Sequence, residues 1–89
     1  MFNSRRSEIE IIGEILKLSR KGARKTEILY QGNLSYTQLQ NYLSFLVKKD
    51  ILEEKVMRNN SGKSHGIYKT TNKGNDLLMY INKILSYFK

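Results

Sequence analysis

Cysteine is missing from all 89 residues, and histidine occurs once. The first absence excludes disulfides and thiolate metal sites and agrees with a reducing compartment. The second leaves His65 with no cysteine or second histidine beside which to build a typical zinc site, so no metal is expected. Acids are scarce too: eight Asp and Glu face sixteen Lys and Arg, a formal net charge of +8. No apolar run approaches the roughly 20 residues of a membrane-spanning helix, and residues 1–7 are too polar for a secretory signal. The expectation is a cytoplasmic protein with no membrane partner.

Catalysis is poorly provided for. No paired carboxylates stand in a glycine-rich or strand-end setting suited to acid-base work, and Glu8, Glu10 and Glu14 read as solvated helix positions. Ser61-Gly62-Lys63-Ser64 matches only the end of a phosphate-binding loop. The earlier glycine that such a loop needs would stand at position 57, which is Met57, and the flanks read as strands. No enzyme activity, cofactor or small-molecule ligand is read from the chain.

What the sequence does hold is one domain's worth of residues and a large positive charge. An anionic partner follows, and nucleic acid fits best, because neutralising phosphates releases condensed counterions. Ser7 with Glu10 forms a capping box that starts a first helix, whose Ile9, Ile11, Ile12, Ile15, Leu16 and Leu18 give a broad apolar stripe until 19–22 ends it. Residues 23–25 form a brief bridge or short strand. A short second helix over 26–31 is closed by Gly32, with Gly32 and Asn33 as the turn. Ser35 with Gln38 caps a third helix, 36–49, with Leu39, Tyr42, Leu43 and Leu46 on one side. Residues 52–57 and 67–70 read as strands around a polar loop, 58–66, and Thr71 caps a last helix through Tyr87.

The order helix, bridge, helix, helix, hairpin, helix resembles the winged-helix family over nearly the whole chain. More narrowly, Gly22-Ala23-Arg24-Lys25-Thr26-Glu27-Ile28-Leu29-Tyr30, Leu34-Ser35-Tyr36-Thr37-Gln38-Leu39 and Tyr68-Lys69-Thr70-Thr71-Asn72-Lys73-Gly74 are similar to small archaeal winged-helix regulators and chromatin proteins. The fold class expected is α+β, mostly α. Residues 1–70 would hold a three-helix helix-turn-helix core with a two-stranded wing, and 71–89 a C-terminal dimerisation helix. The resemblance implies double-stranded DNA binding through the third helix and the wing, and dimerisation through the last helix. Some relatives extend that helix into a long antiparallel coiled coil. Here it stops at Lys89, so their dimer geometry is not carried over.

A helical wheel of the third helix points Thr37, Asn41, Ser44 and Lys48 outward, with Gln38 and Gln40 flanking them. Amides and hydroxyls there can read base edges, or they can simply be solvated. Ser35 lies at the helix start, and Tyr36 at the edge of the buried arc can aim its hydroxyl at a phosphate. Arg24 and Lys25 precede the second helix, whose amino end suits a phosphate. The hairpin tip offers Arg58, Asn60, Lys63 and His65 among Asn59, Ser61 and Ser64, with no acid between them, as contacts to the backbone or minor groove. Arg5, Arg6, Arg20 and Lys21 complete the cations at the amino-terminal side. Glu53 and Glu54 read as counterweights to nearby lysines.

Apolar residues span about half the circumference of the last helix, more than the roughly 100° that one core contact needs. A homodimer through Leu78, Ile81, Leu85 and Phe88 is therefore expected, which would make a palindromic site natural. The functional reading is a nucleoid-associated dimeric transcriptional regulator. Its alternatives are a sequence-independent chromatin protein, a winged-helix protein-interaction module and, less favoured, an RNA binder.

Overall fold

Three of the four helices start where a short polar side chain, Ser7, Ser35 or Thr71, satisfies a backbone amide that the helix itself leaves without a partner. The computed structural model describes residues 7–88; Arg5 and Arg6 lie outside the described residues. Ser7 Oγ accepts from the Glu10 amide, and Glu10 Oε1 accepts from the Ser7 amide, both at 3.2 Å, opening α1 (Glu8–Leu18). The second helix, α2 (Lys25–Gly32), begins after the two-residue strand β1 (Ala23–Arg24), where Glu27 accepts from the Arg24 amide at 3.0 Å. It runs one residue further at each end than the sequence suggests. The left-handed residue that closes it is Asn33 (φ 53°), an asparagine being one of the few side chains that tolerate this conformation. Ser35 and Gln38 form the second reciprocal box, both bonds at 3.1 Å, and open α3 (Tyr36–Lys48).

Asp50, with φ 63°, turns the chain from α3 into β2 (Leu52–Arg58), which pairs with β3 (Ser64–Thr70) before α4 (Asn72–Ser86) closes the chain. The sheet has three antiparallel strands in the order β1-β3-β2, not the two expected. The addition is β1, with Ala23 opposite Tyr68 and Arg24 opposite Ile67. The hairpin is also longer than its polar sequence implies, because ladder pairing continues out to Arg58 opposite Ser64. Only 59–63 remains as the tip. There Asn59 Oδ1 accepts from the amides of Ser61 and Lys63, both at 3.0 Å, and Gly62 takes the positive φ of 83° that the turn demands.

One core joins these parts. Ile11, Ile15 and Leu16 of α1 meet Ile28, Leu39, Leu43 and Leu46 of the other two helices, with Leu52 at the root of the wing. Leu78 and Ile81 of α4 complete this core, and Gly13 of α1 lies against Ile81. Both residues were expected on a surface between copies. They are only 6% and 2% exposed, because the half of α4 that carries them is the half that packs on α1. Leu85 is half-buried against the same core, and Phe88 is left exposed. Polar anchors set the angle of α4. The Thr70 hydroxyl donates to the Leu16 carbonyl at 2.7 Å, and Thr71 Oγ donates to the carbonyls of Asp50 and Ile51 while accepting from the Gly74 amide.

Candidate nucleic-acid interface

The core side of α3 fixes what its outer side can present. With Leu39, Leu43 and Leu46 buried, the 3.6-residue period leaves Thr37, Asn41, Ser44 and Lys48 facing away, and all four are exposed. Gln38 and Gln40 are exposed on opposite flanks. Gln38 shares an open groove with Glu8 and Ile12 of α1, and Gln40 shares one with the wing. The capping box commits the Ser35 hydroxyl and the Gln38 carbonyl oxygen to backbone amides, so Ser35 stands here as the cap of the helix.

Two of the candidate cations are tied differently. Lys25 reaches from the start of α2 to α3, where its Nζ donates to Gln40 Oε1 at 2.5 Å and stands 5.3 Å from the centre of the Tyr36 ring. This contact bridges the two helices on the exposed side and places a cation beside the two side chains. Arg24 is exposed at the N-cap of α2 and belongs to β1 as well, so its backbone is joined to the wing.

The wing does not gather its candidates on one side. Alternation along the strands puts Leu52, Glu54, Val56 and Arg58 of β2 on the face shared with Ser64, Gly66, Tyr68 and Thr70 of β3. This face turns to α3, since Glu54 and Tyr68 line an open groove of about 320 Å³ with Gln40, Ser44 and Lys48. His65 pairs with Met57 on the opposite face, away from Arg58. Asn60 and Lys63 are exposed at the tip, where either face of the ribbon is within reach.

Three residues of this region escape a sequence reading. Phe45 is 48% exposed on the α1 flank of α3, an apolar side chain at the edge of a polar face. Tyr68, buried in the wing root, donates its hydroxyl to Glu54 Oε2 at 3.1 Å. Burial first, then this hydrogen bond and the Glu54 charge, with a smaller contribution from Tyr36, push the Tyr68 phenol up to about 12. Glu54 was expected to balance a lysine, but among the described residues the ion pair is Lys55 with Glu53, at 3.6 Å. The signal for Glu54 was cross-strand register, which places it opposite Tyr68 only once the pairing is known.

Elsewhere, Lys17, Arg20 and Lys21 cluster beside Asn75, at the far end of α1. Tyr80 and Ile84 of α4, and Tyr87 and Phe88 just past its end, are exposed. Among the described residues, no group of three or more His, Cys, Asp or Glu could hold a metal ion, and no helix is long and apolar enough to cross a membrane.

A helix-turn-helix with its second helix exposed, followed by an antiparallel wing packed beside it, is the fold of DNA-binding regulators. The chain belongs to the winged helix-turn-helix family, whose model matches residues 5–89. It is similar to the crystal structure of Sso10a-2, a DNA-binding protein from Sulfolobus solfataricus, with a TM-score of 0.75 and 28% identity over 92% of this chain and 81% of that one. The fold is shared with a PadR-like transcription factor from Bacteroides fragilis, with a TM-score of 0.73 and 20% identity over 90% of this chain and 82% of that one. Among curated sequences, an uncharacterised protein of Methanocaldococcus jannaschii is 33% identical over 81 residues, 90% of this chain. The chain spans about a third of that relative's length, 34%.

Proposed function

We propose that this chain is a double-stranded DNA-binding transcriptional regulator that lays α3 in the major groove and the wing along the flanking backbone or minor groove. The observation that carries this reading is the outer face of α3. Thr37, Asn41 and Ser44 form an uncharged, hydrogen-bonding strip, with Lys48 at its end, Lys25 and Arg24 beside its start, and Arg58 and Lys63 out on the wing. Neutral amides and hydroxyls in the centre suit base edges, and cations at the rim suit phosphates. The likeness to a DNA-binding protein from Sulfolobus solfataricus supports the same partner. Such a protein would work on the nucleoid, in the cytoplasm.

The reading extends to a homodimer. Tyr80, Ile84, Tyr87 and Phe88 lie beside the buried half of α4 rather than within it, and a second copy of α4 is the surface that would cover them. Two α3 helices related by a two-fold axis would then read a palindrome.

The test is selection from a random duplex library at two salt concentrations, with sequencing of the retained DNA. Enrichment of a palindrome is the expected result. Salt-sensitive retention without enrichment would replace the regulator with a sequence-independent binder, and no retention at low salt would overturn DNA binding altogether.

A further inference from the structure

The carboxylate of Glu54 lies where an interface for phosphates should have none. It points from β2 into the groove between the wing root and α3, among Gln40, Ser44 and Lys48. Its position is built. Tyr68 on the neighbouring strand donates to Oε2, and Gly66, next along the same face, leaves the space the carboxylate occupies. A Cβ at position 66 would come within 2.9 Å of Oε2. Among the described residues Glu54 makes no ion pair, whereas its neighbour Glu53 pairs with Lys55. An exposed carboxylate anchored by Tyr68 in a groove whose cation is Lys48 weakens any docking that brings a phosphate there, and it can accept from the exocyclic amino group of a base, that of cytosine above all.

Resting on the DNA reading above, we propose that Glu54 is a specificity-determining residue: it disfavours docking with the phosphate backbone in the α3–wing groove and favours docking that presents a base-edge amino group there. Tyr68 is its positioning residue. The hydroxyl, protonated throughout the physiological range as a phenol ordinarily is, donates to the carboxylate at 3.1 Å.

The test measures binding of the full chain to random-sequence duplex DNA across a salt series, for the wild type, Glu54→Gln, Glu54→Asp and Tyr68→Phe, with thermal melts to establish that each folds. Glu54→Gln, nearly equal in shape, should bind random duplex about three- to tenfold more tightly at low salt, the size expected of one charge interaction across several ångströms of a wet surface. That gain should fade as salt rises. Glu54→Asp keeps the charge and should stay within about twofold of the wild type. Tyr68→Phe keeps the charge but frees the carboxylate, so its binding of random duplex should stay within about twofold of the wild type, while selection from the random library, repeated with this variant, should enrich sequences more weakly. If the wild type binds and Glu54→Gln binds no more tightly, the Glu54 proposal fails and DNA binding stands. If the wild type does not bind random duplex at low salt, both fail together.

Discussion

Ser19 ends α1 with its carbonyl accepting from the amides of Gly22 and Thr70, yet its hydroxyl oxygen is fully buried and finds no partner among the described residues. A buried hydroxyl without a bond costs stability, so Ser19→Ala should leave the protein as stable or raise its stability by about 1 kcal/mol, as read by urea unfolding. Tyr68 gives a pH test. Its phenol rises from 10.0 to about 12 on folding. Because folding favours the neutral form, the contribution is fully present below the unfolded value and is lost as pH climbs through the folded one. Melting temperature should therefore fall between about pH 10 and pH 12, and Tyr68→Phe should lose less over the same range. Neither feature is legible in sequence. Ser19 reads there as part of a helix stop, and nothing local shows that Thr70, fifty-one positions later, brings the wing root over it.

At the scale of elements, the docking of α4 depends on one missing side chain. A Cβ on Gly74 would stand 2.2 Å from the Ile51 carbonyl oxygen and 2.6 Å from Thr70 Cγ2, distances that only backbone movement could relieve. Gly74→Ala should cost about 3 kcal/mol, more than helix propensity would return, measured by denaturant midpoint at constant slope. The helices themselves were legible because their signals are local: Ser7 with Glu10 and Ser35 with Gln38 declare each start within four residues. A short strand at 23–25 was among the readings, but its place in the sheet was not legible, since its partners, Ile67 and Tyr68, lie far along the chain. The outer hairpin was hidden for another reason. Ser64, His65 and Gly66 look like loop, but ladder bonds belong to the backbone and extend regardless. In α4 the breadth of the apolar arc was visible, whereas which half of it faces α1 is decided by packing.

For the molecule as a whole, the proposed assembly and the proposed DNA affinity should be separable. Ile84→Glu on α4 and Phe88→Glu just beyond it place charges on exposed positions, so each should fold with a melting temperature within a few degrees of the wild type. Sedimentation should nevertheless show a shift from dimer to monomer. Binding to a palindromic duplex should weaken by more than tenfold through loss of the second reader, while contact by one α3 with a half-site persists. A monomeric wild type would remove the dimer and leave the α3 and wing surfaces as they are.

The short strand β1 has a mechanical meaning. By pairing with β3 it welds the start of α2, with Arg24 and Lys25, to the wing that carries Arg58 and Lys63. Arg24 and Arg58 thus stand on one continuous sheet instead of on two independent arms, with Lys63 in the tip beyond it. In the proposed complex with duplex DNA, a clamp of fixed span would not follow a backbone that widens or narrows, so the cost of misfit would fall on the duplex, and stretches whose groove width already matches the frame would be favoured before any base is touched. The calliper and the reading helix would then select on different properties of the same DNA.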